Sequence, residues 1–238
     1  LINSKVLVIG AGGLGSPLLL YLAAAGVGTI GIIDDDKVEL SNLQRQIIHT
    51  NDNIKIHKTD SAKKAILGIN PNVNVITYKE RFSFKNAEDI VSKFDIVADG
   101  SDNFGTRFLA NDVCYLKNKT LVSAAILRFE GQISSYSAHK GSNCCYRCLW
   151  PEPPPKGLIA SCGEAGVFGA LAGSIGSIQA IEVLKEILGI GHSLNNYLVI
   201  FDTLSSEMRK VKINKDNNCK LCGSKPTITS ITNHKDYR

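Results

Sequence analysis

No run of 18 or more apolar residues occurs in this sequence, and no leader pattern opens it, so neither a membrane span nor a signal peptide is expected. A soluble, cytoplasmic protein is the resulting expectation. Blocks of Lys and Arg are also missing, as is any alternation of basic with aromatic residues. The formal charge of +5 therefore reads as a solvated basic surface and gives nucleic-acid binding no support. With no internal repeat and no interdomain linker, the 238 residues are expected to form one domain able to bury a sizeable core. A disulfide framework is excluded as well, because the seven cysteines are odd in number and lack a secretory context.

What is present begins with Lys5-Val-Leu-Val-Ile-Gly-Ala-Gly-Gly-Leu-Gly15 and runs on to Thr29-Ile-Gly-Ile-Ile-Asp-Asp-Asp36. Four apolar residues, a glycine cluster, an apolar stretch from Leu18 to Ala25 and a second apolar run predict strand, tight turn, helix and strand. Gly10, Gly12 and Gly15 stand at Gly-x-Gly-x-x-Gly spacing, which brings backbone close to a phosphate at a helix N-terminus. Asp34 closes the second strand, where a carboxylate can accept from ribose hydroxyls. By itself the turn favours NAD.

Strands and helices then alternate. Helices are predicted over Ser61 to Ile69, capped by Thr59 or Asp60, over Asn86 to Lys93 and over Asn103 to Leu116. Strands are predicted at Val73 to Thr77, Asp95 to Gly100 and Thr120 to Ala125. This is the order of a parallel sheet covered on both faces. From Gly131 to Ala138 a period-two strand follows closely enough to pair antiparallel. Residues 144–166 form a long loop, with Pro151, Pro153, Pro154 and Pro155 opposing regular structure. A helix from Gly166 to Leu188, strands at Tyr197 to Asp202 and Glu207 to Ile213, and a polar tail over 223–238 complete the chain.

The cysteines fall into a pattern. Cys145 and Cys148 form one Cys-x-x-Cys and Cys219 and Cys222 another, which suits a tetrahedral zinc of four thiolates. Cys144 is a second-choice ligand, and Cys114 reads as packed core. Cys162 precedes the long helix, so it is either a dipole-assisted nucleophile or an exposed loop thiol. Arg45 and Lys58 follow the second strand, and Asp102 follows the strand at Ile96 to Ala98. Two cations and a carboxylate able to hold magnesium describe a triphosphate site better than a nicotinamide site.

The string Gly10-Ala-Gly-Gly-Leu-Gly15, Asp34-x-Asp36, Ser41-Asn-Leu-Gln-Arg-Gln46, Lys58, Ser101-Asp-Asn103 with Arg107, and the two cysteine pairs resembles the ThiF/MoeB/HesA adenylyltransferases, bacterial relatives of ubiquitin-activating enzymes. The resemblance covers nearly the whole chain. It implies one α/β domain over 1–238 with a Rossmann-like mixed sheet, parallel at first and antiparallel at its C-terminal strands, and helices on both faces. It also implies ATP-dependent adenylation of the C-terminal glycine of a ubiquitin-like sulfur carrier by a homodimer, for thiamin or molybdopterin biosynthesis, with a sulfurtransferase as a further partner.

Carried over by position, Gly13 would lie along the phosphates and Asp34 would hold the ribose. Ser41, Asn42, Leu43, Gln44 and Arg45 would contact phosphates together with Lys58. Asp102 would bind Mg2+ with Asn103 beside it, and the four paired cysteines would bind Zn2+. Residues 144–166 would be a mobile crossover loop holding Cys162, which matches a position that can link covalently to the carrier. Family members also carry an N-terminal arm with an arginine that reaches the partner's phosphates; this sequence begins at Leu1, close to the first strand. The segment Asn53-Ile-Lys-Ile-His57 stands where relatives usually have a glycine. The competing readings are an NAD-dependent oxidoreductase and a non-catalytic carrier-binding relative.

Overall fold

Five short strands joined through helices favour a parallel sheet, and they form one in this structure, a computed structural model that describes residues 1–155, 166–232 and 234. Strands β1 (Lys5–Ile9), β2 (Thr29–Ile33), β3 (Asn74–Tyr78), β4 (Ile96–Asp99) and β5 (Thr120–Leu127) are parallel to one another. Then β6 (Glu130–Tyr136), β7 (Tyr197–Asp202) and β8 (Glu207–Lys212) add antiparallel. The order across the eight-stranded sheet is β3-β2-β1-β4-β5-β6-β7-β8. The switch follows from connection length: only Arg128 and Phe129 separate β5 from β6, too few for a crossover to a parallel neighbour.

Helices α1 (Gly15–Ala24), α2 (Lys58–Ile69) and α6 (Gly169–Leu188) cover one face, with Leu18, Leu22, Ile66, Ile175 and Val183 among the buried residues there. Helices α3 (Ala87–Ser92) and α4 (Phe104–Leu116) cover the other, around Ile90, Phe94, Phe108 and Val113. The small apolar residues of α6 serve close packing, as their composition predicts. A Cβ added to Gly176 would stand 2.3 Å from the Leu14 carbonyl oxygen, so α6 lies directly against the turn that follows β1. Among the described residues, no helix is long and apolar enough to cross a membrane.

Two local expectations are corrected. Helix α2 begins at Lys58 with His57 before it, and neither Thr59 nor Asp60 caps it. The Lys58 N–H instead donates to the Asp36 carbonyl at 3.0 Å, so backbone from the loop after β2 does the work of a capping side chain. The proline-rich segment is also less irregular at its start than its composition predicts. Tyr146–Leu149 form a short helix, α5, because the first proline comes only at Pro151. The loop departure at Asn53 to His57 has a backbone counterpart: Lys55 takes φ 72, a left-handed conformation that glycine adopts without strain.

Candidate active site

In a sheet of this order the connections from β1 and β4 leave in opposite directions, which opens a crevice at the carboxyl ends of these two strands. A cavity of about 660 Å³ lies there, within the range of small-molecule sites. Gly10, Gly12, Gly13, Asp34, Asp36, Arg45, Lys58, Asp102 and Asn103 all line it. Gly15, Ser41, Asn42, Leu43 and Gln44 do not. Gly15 has a packing reason to be glycine, since a Cβ there would meet the Gly10 carbonyl oxygen at 2.0 Å.

Each wall is held by identifiable bonds. Asp34 accepts from the Ala11 N–H at 2.8 Å and, through its other oxygen, from the Asp36 N–H at 2.9 Å. Burial pushes its carboxyl above the usual value, against the opposing pull of Lys58 and of those two N–H donors. A desolvated carboxylate of this kind gains from hydroxyl donors. Lys58 is 7% exposed and pairs with the exposed Asp36 at 2.7 Å. Its backbone N–H is bonded to Asp36 as well, so the ammonium is fixed at the crevice from both ends. Arg45 is braced by its own turn, donating to the Ser41 carbonyl at 3.2 Å.

The loop after β4 is organised by Asp99, which is fully buried. It accepts from the Ser101 N–H and hydroxyl at 3.0 and 2.6 Å and from the Ser123 hydroxyl at 2.9 Å. Arg107, also buried, donates to the Ser101 carbonyl at 3.0 Å, with its Nε 3.5 Å from Asp99. Asn103 caps α4 by accepting from the Thr106 N–H at 2.8 Å. Between these anchors Asp102 is exposed to the crevice, and its carboxylate has no hydrogen-bond or ion-pair partner among the described residues. Such a carboxylate fits a metal ligand.

The paired cysteines meet as their spacing predicts. Sulfur separations are 4.0 Å for Cys145–Cys148, 3.6 Å for Cys145–Cys219 and 3.4 Å for Cys148–Cys222. Four sulfurs about 2.3 Å from one zinc ion would stand roughly 3.8 Å apart, so the cluster has the size such an ion needs. Cys144 is outside the group; burial raises its thiol to about 11. Cys114 is packed core. Cys162 lies outside the described residues, as does most of the 144–166 loop beyond Pro155.

The knuckle is tied to the rest of the site. Arg147, between Cys145 and Cys148, donates to both carboxylate oxygens of the buried Asp112 at 2.7 Å and to the Pro151 carbonyl at 3.2 Å. Its guanidinium lies over the Phe108 ring, 4.7 Å from the centroid. Glu152 pairs with Lys220 of the second cysteine loop, and Trp150, Glu152 and Pro154 line the crevice. Neither Asp99 nor Asp112 carries a motif signal in the sequence, because each works through burial. Gln179 is similar: its amide donates from α6 to the Asp99 and Val122 carbonyls at 2.8 and 2.9 Å.

A glycine turn, a buried carboxylate at a strand end and two cations at the switch point of a mixed α/β sheet make a crevice of the kind that suits a phosphorylated ligand. The ThiF family model matches residues 1–221, and the chain belongs to that family. It is 42% identical over 238 residues to a sulfur carrier protein adenylyltransferase of Thermus thermophilus, covering 99% of this chain and 88% of that protein. It is 44% identical to the adenylyltransferase and sulfurtransferase MOCS3 of Dictyostelium discoideum, and 45% identical to the probable adenylyltransferase/sulfurtransferase MoeZ of Mycobacterium tuberculosis. Those two matches cover 100% and 99% of this chain but only 56% and 59% of the relatives. Among solved structures, Escherichia coli MccB with ATP superposes with a TM-score of 0.81 at 22% identity, over 94% of this chain and 67% of that one. This likeness speaks to the fold.

Proposed function

We propose that the protein is an ATP-dependent adenylyltransferase that activates the C-terminal glycine carboxylate of a ubiquitin-like sulfur-carrier protein, releasing pyrophosphate. The observation that carries this reading is the convergence of the glycine turn, Asp34, Arg45, Lys58 and Asp102 on one crevice, in a chain whose relatives are named adenylyltransferases. A dinucleotide would leave the two cations and the free carboxylate without a task.

The carrier's carboxylate is ionised at neutral pH and attacks the α-phosphorus directly, so no protein general base is required. What the chain supplies is position and charge. The glycine turn offers N–H groups to the phosphates and Asp34 takes the ribose hydroxyls. Arg45 and Lys58 offset the charge that builds as pyrophosphate leaves. Asp102 holds Mg2+, which neutralises phosphate charge when bound, with Asn103 fixing the turn beside it. Lys58 exchanges Asp36 for a phosphate oxygen as the nucleotide enters.

Cys145, Cys148, Cys219 and Cys222 hold structural Zn2+, and the crevice wall from Trp150 to Pro154 starts from that knuckle. The segment beyond Pro155 lies outside the described residues, and we propose its Cys162 as available for a covalent link to the carrier. A homodimer is the assembly this reading requires. A sulfurtransferase partner accords with the names of MOCS3 and MoeZ.

Carrier-dependent exchange of labelled pyrophosphate into ATP tests the proposal. Exchange with a carrier ending in glycine, abolished by Asp102→Ala while the circular dichroism spectrum is retained, is the expected result. No exchange with any carrier tried, together with tight NAD binding, would sink it; full activity in Asp102→Ala would remove Asp102 from the chemistry.

A further inference from the structure

His49 takes no part in the reading above, yet it is a buried polar side chain bonded directly to the glycine turn. It is 5% exposed and sits behind the crevice without lining it. Its Nε2 lies 2.9 Å from the Ala11 carbonyl oxygen, and its Nδ1 lies 2.8 Å from the Ser61 hydroxyl on α2. A carbonyl only accepts, so Nε2 carries the proton and donates to it, while Nδ1 accepts from the Ser61 O–H. Burial, reinforced by the nearby Lys58 charge, holds the ring below its ordinary pKa, which keeps this neutral tautomer.

The bond to Ala11 has a geometric consequence. Ala11 is gripped at both ends: its N–H donates to Asp34 and its carbonyl accepts from His49. No peptide bond among the described residues is cis, so the Ala11 carbonyl and the Gly12 N–H point in opposite directions within one peptide plane. With the carbonyl turned inward to His49, the Gly12 N–H is turned outward, and Gly12 lines the crevice. That N–H has no protein acceptor among the described residues. The Gly12 carbonyl is occupied separately by the Ser16 N–H and hydroxyl, at 2.9 and 2.6 Å. Rotation of the 11–12 peptide alone would replace a donor facing the crevice by an acceptor, and glycine at position 12 sets little steric barrier to it.

We infer that His49 is a positioning residue for the phosphate site: its Nε2–H holds the Ala11–Gly12 peptide so that the Gly12 N–H faces the nucleotide's phosphates. The inference rests on the ATP reading and adds to it a residue that touches no substrate. Through Ser61 the same ring ties the glycine turn to the helix that begins at Lys58, so the backbone donor and the cation are set by one side chain.

The experiment compares ATP binding by calorimetry with adenosine binding by competition, in wild-type protein and in His49→Gln, His49→Asn and His49→Ala. The Gln amide nitrogen reaches nearly where Nε2 stands; the Asn amide is too short. His49→Asn and His49→Ala are expected to weaken ATP binding about ten- to a hundredfold, the worth of one hydrogen bond to a charged group, with adenosine changed less than about threefold. His49→Gln is expected to keep ATP affinity within about threefold. Should His49→Ala fail to fold, the Gln and Asn pair carries the comparison. Equal losses for ATP and adenosine, or ATP affinity untouched in His49→Asn, overturns the inference alone. Wild-type protein that does not bind ATP overturns the adenylyltransferase reading and this inference with it.

Discussion

Replacing Arg147 by Met removes one half of an ion pair that water cannot reach. The side chains of Arg147 and Asp112 are 5% and 1% exposed, and both carboxylate oxygens of Asp112 accept from the guanidinium. Once Arg147 is gone, the partners that Asp112 keeps among the described residues are the Asn111 amide at 3.0 Å and His234 at 3.9 Å. Breaking such a pair from one side costs about 3–5 kcal/mol, chiefly for the charge left behind. In a chain of this size that corresponds to a fall in Tm of roughly 6–20 °C. Urea unfolding of Arg147→Met, Asp112→Asn and the double variant measures it. The double variant is expected to be more stable than Arg147→Met by at least about 1 kcal/mol, because a neutral amide in place of the carboxylate leaves no buried charge. Since Arg147 also holds the Pro151 carbonyl beside the crevice wall, KM for ATP should rise in Arg147→Met at temperatures where the protein stays folded. A loss below about 1 kcal/mol in the single variant, with KM unchanged, would refute the reasoning.

Two further outcomes are expected. Metal analysis should find about one zinc per chain, the four-sulfur stoichiometry of a structural site, and a strong chelator should lower Tm and open the C-terminal segment to protease; an ion-free protein of unchanged stability would refute the thiolate site. The buried His49 sets a pH dependence. Between its depressed folded pKa and its ordinary 6.5 the unfolded chain binds the extra proton, so stability rises with pH through that window and levels off above it. His49→Gln should flatten this slope, and an unchanged slope in unfolding curves across the window would exclude His49 as its source.

Much of this architecture is legible in the sequence because it is written in local patterns. Apolar runs of three or four residues ending in Gly or Asp locate β1, β2 and β4, and the crevice follows from their carboxyl ends. The cysteine pairs announce their cluster by spacing alone. What stays hidden is whatever depends on burial: Asp99, Asp112, Gln179 and His49 look like ordinary polar residues until the fold removes water from them. The start of α2 escapes local pattern for a related reason, since its cap is the Asp36 carbonyl, a backbone group 22 residues earlier. Helix α5 escapes it because prolines dominate the composition of its neighbourhood without entering it.

The four sulfurs also impose an order in time. Cys145 and Cys148 emerge from a ribosome more than 70 residues before Cys219 and Cys222, so the knuckle stays open until α6, β7 and β8 have all been made. Until then the wall from Trp150 to Pro154 lacks its second anchor, Lys220. In a chain stopped short of Cys222 that wall would have neither the second cysteine pair nor Lys220 to hold it, so the side of the crevice formed by Trp150 to Pro154 depends on the last part of the described sequence.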